Sequence, residues 1–490
     1  MAGRFLSLFK PIARILPEIK TPERRVRFNE KLFWTALALI IYLIMSEIPL
    51  YGIGKSPLGE LAALRIIFAS NRGSLMELGI GPIVTAGLIL QLLVGSAMIQ
   101  CNMSNPEDRS LFTSASKVFS ILLTGVQAAA YIIGGMYGPG LPGTISIVIF
   151  LQLISAGIIV MLLDELVQKG WGFGSGISLF IMAGVAQHIF WQSFSPVPAV
   201  GETRGYGFFV ALGQVLSSGQ PVSLMWLRNN SAPETLIFNP QNPSMLGLIA
   251  TIVAFLIIIY LEGVRVELPM SYAGYKGYRS RYPIKLLYVS NLPVIFASAL
   301  FANVYFFSQL FWSMNGQHTP GQNLWLDLLG QFMTTTSESG QSSTQPIGGL
   351  VYFVTAPRNF IDVTNAPLRA FVYLAILIAF CVIFSFTWLE VGGLGPSKVA
   401  NQLVSSGMQI PGYRRSEKAV ESILNRYIPA VTILGGIAVG LVAGVSDFFG
   451  VYGSGMGILL SVGIIYQYYE ILVKERAAET IPAFRRIFGE

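Results

Sequence analysis

The chain carries about ten long apolar runs, the first from Leu32 to Leu50 and the last from Ser454 to Leu472, joined by polar connections rich in Gly and Pro. Each approaches the roughly 20 residues with which a helix crosses about 30 Å of hydrocarbon. Lipid offers a bare backbone no hydrogen-bond partner, so such runs fold as helices that satisfy their own N–H and C=O groups. They lie at residues 32–50, 80–98, 117–137, 144–163 and 174–191, then at 245–261, 286–307, 368–389, 428–445 and 454–472. Hydrophobic residues make up 53% of the chain and charged residues 12%, against about a quarter charged in soluble domains. The expected fold is an all-α polytopic membrane protein, one bundle of ten helices.

Lys and Arg collect on the cytoplasmic side near span ends. With the N-terminus in the cytoplasm, only Lys55, Arg65, Arg72, Arg204, Arg228, Arg358 and Arg369 of the 32 basic residues fall outside, so both termini are expected to be cytoplasmic. The spans divide five and five. An odd number per half turns the halves over relative to each other, the topology of an inverted repeat with a pathway at its interface. The chain then reads as a cytoplasmic N-terminal amphipathic segment (1–31), an N-terminal half (32–191), an enlarged outer loop (192–244), a C-terminal half (245–474) and a cytoplasmic tail (475–490). The C-terminal half contains cytoplasmic loops 262–287 and 390–427 and a second enlarged outer loop, 308–367. Residues 56–72 form a short apolar helix pattern that includes Glu60 and Arg65. It is too short and too charged to span, and reads either as a half-inserted helix surrounded by protein or as an interfacial surface helix.

Several function classes lose support. Glu47, Asp164, Glu165, Glu262, Glu390 and Asp447 fall near span ends, where they anchor rather than form the buried relay of an ion-coupled transporter. His188 and His318, the only histidines, have no metal-ligand spacing around them, and Cys101 and Cys381 stand far apart. Neither Gly170–Gly176 nor Gly392–Lys398 has phosphate-loop spacing. No enzyme, cofactor or metal site is expected. Asn229 opens a glycosylation sequon, and no cleavable signal is apparent in the first ~30 residues, so a retained N-terminus is expected.

The cytoplasmic loops interleave Arg265, Lys276, Arg279, Arg281, Lys285, Arg414, Arg415 and Lys418 with Tyr272, Tyr275, Tyr278, Tyr282 and Tyr413. Basic and aromatic residues together suit an RNA backbone. Composition alone favours the plainer reading, the positive-inside bias or anionic lipid.

Longer motifs carry a specific resemblance. Met76 to Ser96 (MELGIGPIVTAGLILQLLVGS), Ala69 to Gly73 (ASNRG), Tyr282 to Ile295 (YPIKLLYVSNLPVI) and Pro411 to Arg415 (PGYRR) resemble the SecY family, the channel subunit of the general secretory translocon, in a form nearer the archaeal and eukaryotic branch. The resemblance runs from about Lys10 to about Lys474, and the two enlarged outer loops depart from it. It implies a clamshell with an hourglass pore, a plug and a lateral gate. It places Ile80, Val84, Ile177, Ile181, Ile295 and Leu460 in a pore ring. It assigns the segment at about 56–71, with Leu58, Leu61, Leu64, Ile66 and Ile67, to the plug, and Thr85, Gln127 and Asn291 to a polar cluster across the gate. It also implies ribosome contacts for Arg265, Lys276, Arg279, Arg281, Arg414 and Arg415. The implied partners are a SecE-type single-span subunit, a small third translocon subunit, the translating ribosome, signal sequences and nascent chains, and membrane lipid. The stretch from Phe5 to Leu16 is expected along the cytoplasmic interface. The resulting expectation is a passive protein-conducting channel in the plasma membrane of a prokaryote, with a small-solute secondary transporter as the alternative.

Overall fold

The computed structural model describes residues 11, 16–24, 26–52, 73–95, 98–99, 105–134, 137, 142–198, 204–228, 242–272, 279–288, 292–314, 323–336, 342–357, 360–409 and 417–480. Among the described residues, nine long apolar helices and one shorter one form the bundle. The first half contains α1 (Phe28–Glu47), α2 (Gly81–Gly95), α3 (Pro106–Ile133), α4 (Gly143–Leu166) and α5 (Gly176–Phe194). The second half contains α6 (Met245–Gly263), α7 (Leu292–Met314), α8 (Pro367–Val391), α9 (Glu417–Phe448) and α10 (Gly455–Thr480). All but α2 are long and apolar enough to cross a membrane.

At 15 residues, α2 rises only about 22 Å. Its N-terminal end is preceded by an irregular segment, 73–80, that is buried in the bundle except for half-buried Leu75. Irregular backbone survives at that depth only if its polar groups find partners within the protein. Here they do. Leu75 N–H donates to Ile48 O (2.9 Å), Glu77 N–H to Ser74 O (3.0 Å) and Gly81 N–H to Leu78 O (3.2 Å), while Met76 N–H donates to Ser74 Oγ (3.1 Å).

Several helices extend past the apolar runs because charged turns continue them into water. The third begins at Pro106 rather than 117, with Asn105 as its cap, its Oδ1 accepting from Glu107 N–H at 3.2 Å. α9 begins at Glu417 rather than 428 and at 32 residues is about 48 Å long. Helices α8 and α9 pack closely through a row of small residues. A Cβ on Gly436 would come 3.1 Å from Val382 Cα, one on Gly440 3.0 Å from Ile378 Cα, and one on Gly444 2.6 Å from Leu374 Cδ1. Small residues four apart let two membrane helices approach in this way.

Lys31, at the start of α1, bonds Glu475 near the end of α10 at 2.5 Å, so the two ends of the described bundle meet at one face, called here the basic end. Two small sheets join the helical bundle. At the basic end β1 (Arg265–Tyr272) pairs antiparallel with β2 (Arg279–Lys285), and β5 (Met408–Gln409) adds to the other edge of β1. The opposite end carries the hairpin of β3 (Gln331–Thr336) and β4 (Ser342–Gly348). The connection before α6 includes a short helix, Phe208–Ser217. Buried Arg228 holds this connection together by donating to Tyr206 O at 2.6 Å and to Pro243 O at 3.3 Å.

Candidate functional site

One apolar cluster runs through the centre of the bundle and draws on both halves. Ile80, Val84, Ile181 and Leu460 are buried members, and half-buried Ile177 and Ile295 pack against it. These are the six side chains expected to form the ring. They come from the start of α2, from α5 and α7, and from α10. Ile80 and Val84, like Ile177 and Ile181, are four apart and share a helix face. Aliphatic side chains have no polar atoms to hold water or an ion, so a constriction lined this way seals by dewetting. They also impose no fixed bonding geometry on whatever parts them. The stack of Tyr42 on Phe180, with ring centroids 4.9 Å apart, backs the ring from α1 and α5.

Above the ring the chain is pinned on both sides of the segment expected to be the plug. Leu50 N–H donates to Gly73 O at 2.8 Å, Pro49 and Ser74 form an antiparallel bridge, and the buried Glu77 carboxylate accepts from Gly73 N–H. Gly73 has φ 70°, a left-handed conformation that glycine adopts without strain. Leu58, Leu61, Leu64, Ile66 and Ile67 lie outside the described residues.

Between α2 and α3 on one side and α7 and α8 on the other runs a seam. Thr85 on α2 is buried there, and Asn303 on α7 donates to Thr85 Oγ1 at 3.3 Å and to Ala299 O at 2.7 Å. Gln127 is half-buried on α3, and Asn291 lies outside the described residues. Asn303 is the polar residue that the sequence reading missed. Its sequence signal is a second asparagine, twelve residues after Asn291, in the mainly apolar span 286–307.

The basic end carries a rigid platform. Leu268, Met270 and Ile284 of the β1–β2 hairpin share a satellite core with Val399, Ala400 and Leu403 of the helix Pro396–Ser405 and with Val420, Leu424 and Ile428 of α9. The two basic loops are therefore one structural unit. On its surface Arg281 bonds Glu267 at 2.7 Å, and Arg265 Nε stands 3.2 Å from the other oxygen of the same carboxylate. The hydrogen bond from Arg281 holds the Glu267 carboxyl below its usual range. Arg279 lies in β2, while Lys276, Arg414 and Arg415 lie outside the described residues.

A family model named SecY matches residues 74–469, and a model of the plug domain of Sec61p matches residues 40–73. The chain belongs to the SecY family. Among solved structures, one described as a protein conducting channel is 36% identical over 97% of this chain and 98% of that one, with a TM-score of 0.78. A second, from a study of how the plug domain of the SecY protein stabilises the closed state, is 35% identical over 97% and 98%, with a TM-score of 0.75. Sec61 in the canine ribosome-channel complex from the endoplasmic reticulum is 35% identical over the same shares, with a TM-score of 0.76. As a SecY-family member the chain is a protein-conducting channel of the membrane, built from two inverted five-helix halves.

Proposed function

We propose that the six-residue ring is the closed constriction of the channel, that the segment at about 56–71 forms the plug beside it, and that the α2/α3–α7/α8 seam is its exit to lipid. The observation that carries this reading is that Ile80, Val84, Ile177, Ile181, Ile295 and Leu460, drawn from both halves, belong to or pack against one apolar cluster, while the chain leading into Ile80 is pinned at Leu50 and Gly73. A signal sequence then parts the seam, the ring deforms around the polypeptide, and apolar segments leave sideways. The chain itself catalyses no covalent step, and the energy comes from whatever pushes or pulls the polypeptide.

Charge supports an orientation with the basic end and both termini in the cytoplasm. The β1–β2–β5 platform then faces the ribosome, with Arg265, Arg279 and Arg281 on its strands, Lys276 between β1 and β2 in the sequence, and Arg414 and Arg415 shortly after β5 as the phosphate contacts. A SecE-type single-span subunit and a small third subunit complete the assembly, in the plasma membrane of a prokaryote. The canine relative's description as part of a ribosome-channel complex supports the ribosome as partner.

Planar-bilayer conductance tests the ring and plug together. Deleting residues 57–70 should raise resting ion leakage while the bundle still assembles, and unchanged leakage from an assembled channel defeats the plug assignment. Ribosome affinity across a salt series tests the platform. Replacing Arg414 and Arg415 by Glu should weaken binding and reduce the salt slope by about 0.7 to 0.9 per lost phosphate contact. Lipid binding predicts loss of anionic-lipid association with ribosome affinity unchanged.

A further inference from the structure

Asn303, Phe306, Leu310 and Ser313 are spaced i, i+3, i+7 and i+10 on α7, so they form one row on one face. Each meets the opposite wall of the seam. Asn303 reaches Thr85. The Phe306 ring lies 5.0 Å from that of Tyr131 on α3. Leu310 presses on Gly134, where a Cβ would come within 2.7 Å of Leu310 Cδ1. Ser313 Oγ donates to Gly134 O at 2.6 Å.

We propose that the Ser313–Gly134 hydrogen bond is an outer latch of the seam and a second determinant of how apolar a segment must be to enter it. The proposal rests on reading the seam as the channel's exit to lipid. Gly134 is the first residue past α3, and the last carbonyls of a helix have no partner within it. Gly134 is buried in the seam, and a buried carbonyl left without a partner is costly. An apolar helical segment that wedges between α3 and α7 brings no donor to replace the Ser313 hydroxyl. Parting the seam at this level therefore strands the carbonyl, and only the burial of the entering segment's own apolar surface offsets that. Ser313 stands ten residues from Asn303, about 15 Å along the helix axis. The seam is thus held at two heights, and the outer bond, at 2.6 Å, is much shorter than the 3.3 Å contact between Asn303 and Thr85. Phe306 and Leu310 fill the space between with contacts that an apolar segment can replace in kind.

The test is translocation of a reporter carrying a graded series of signal sequences, from weakly to strongly apolar, through the full channel. Ser313→Ala should admit weakly apolar signals roughly 3- to 15-fold better relative to strong ones, the range expected for one hydrogen bond between membrane helices. Ser313→Thr keeps the hydroxyl and should restore discrimination. Resting ion conductance of Ser313→Ala should stay at the parent level, and a rise would mark general loosening and overturn the assignment. Asn303→Ala is measured in parallel. If Asn303→Ala relaxes discrimination and Ser313→Ala does not, the latch is overturned while the seam stands. If neither variant does, the seam reading fails and the latch with it.

Discussion

The corner between α4 and α5 and the corner between α9 and α10 hold equivalent places in the two halves, at opposite ends of the bundle. In each, an aspartate near the end of the first helix accepts a backbone N–H at the start of the second. Asp164 Oδ1 takes Ile177 N–H at 2.9 Å, and Asp447 Oδ1 takes Gly455 N–H at 2.6 Å. Each second helix opens on a glycine pressed against the first. A Cβ at Gly176 would meet Asp164 Cα at 2.6 Å, and one at Gly455 would meet Ala443 O at 2.1 Å.

The surroundings differ. Asp164 also accepts two bonds from Gln168, at 2.8 and 2.7 Å. The turn beyond it is tied to the N-terminal segment by Lys169, which reaches Glu18 at 2.6 Å and Ile19 O at 2.5 Å, and by Trp171, whose Nε1–H donates to Lys20 O at 2.8 Å. Asp447 faces the hydroxyl of fully buried Tyr373 at 3.5 Å, and the turn beyond it is tight, with Gly450, Gly453 and Ser454 at φ 66°, 79° and 67°. Reversing a helix at the membrane edge leaves N–H groups short of acceptors and a positive dipole end, and a carboxylate answers both. That requirement follows from topology and is common to the halves. The remaining chemistry follows the side of the membrane: lysines and flanking chain at the basic end, aromatic packing and compact turns at the other.

The largest effect expected from this comparison comes from the glycines. Gly455→Ala drives a methyl into backbone that cannot swing away and should cost about 3 kcal/mol or more, abolishing recovery of monodisperse protein in detergent. Gly176→Ala, with a looser approach, should cost less. Equal tolerance of both substitutions in a thermal-stability assay would overturn the tighter approach assigned to the Gly455 corner.

A middle-sized effect separates the carboxylates. Asp447→Ala removes a cap and strands a buried tyrosine hydroxyl, a loss of about 2 kcal/mol. Asp164→Ala should cost nearer 1 kcal/mol because Gln168 is exposed and can turn to water. Urea or thermal midpoints of the two variants should order that way, and the reverse order would locate the stronger cap at the basic end.

The smallest effect belongs to the basic end alone. The hydrogen bond from Lys169 holds the Glu18 carboxyl below its usual range. The contact is therefore complete at neutral pH and through the ordinary carboxylate range, and it is lost as pH falls through the lowered value. Glu18 is 63% exposed, so screening leaves this pair about 0.5 kcal/mol or less. Proteolysis of the 16–24 segment should quicken slightly in Glu18→Gln and in acid, while cleavage near 449–454 stays unchanged.

Much of the candidate site was legible because its parts are local. The resemblance supplied all six positions of the proposed ring, and spacing four apart adds that Ile80 with Val84, and Ile177 with Ile181, share a face. Asn303 was not legible, since an asparagine in an apolar span looks like any packing residue until Thr85 is seen across from it. Strands were missed in the basic loops because their ladder joins residues 265–272 to 279–285 and then to 408–409. The last pairing links segments more than a hundred residues apart, and no local pattern encodes it.

Sequence alone determined that lipid is the solvent, that ten helices cross it, and that five and five place the halves upside down to each other, because hydrocarbon penalises every unsatisfied peptide group wherever it falls in the chain. Only the tertiary structure decided which side chains meet at the centre, that segment 73–80 can stay irregular inside the bundle, and that Asp164 and Asp447 cap helices rather than anchor at the interface. Those outcomes depend on which donor stands opposite which acceptor. That is a property of packed helices, and the order of residues along any one of them does not contain it.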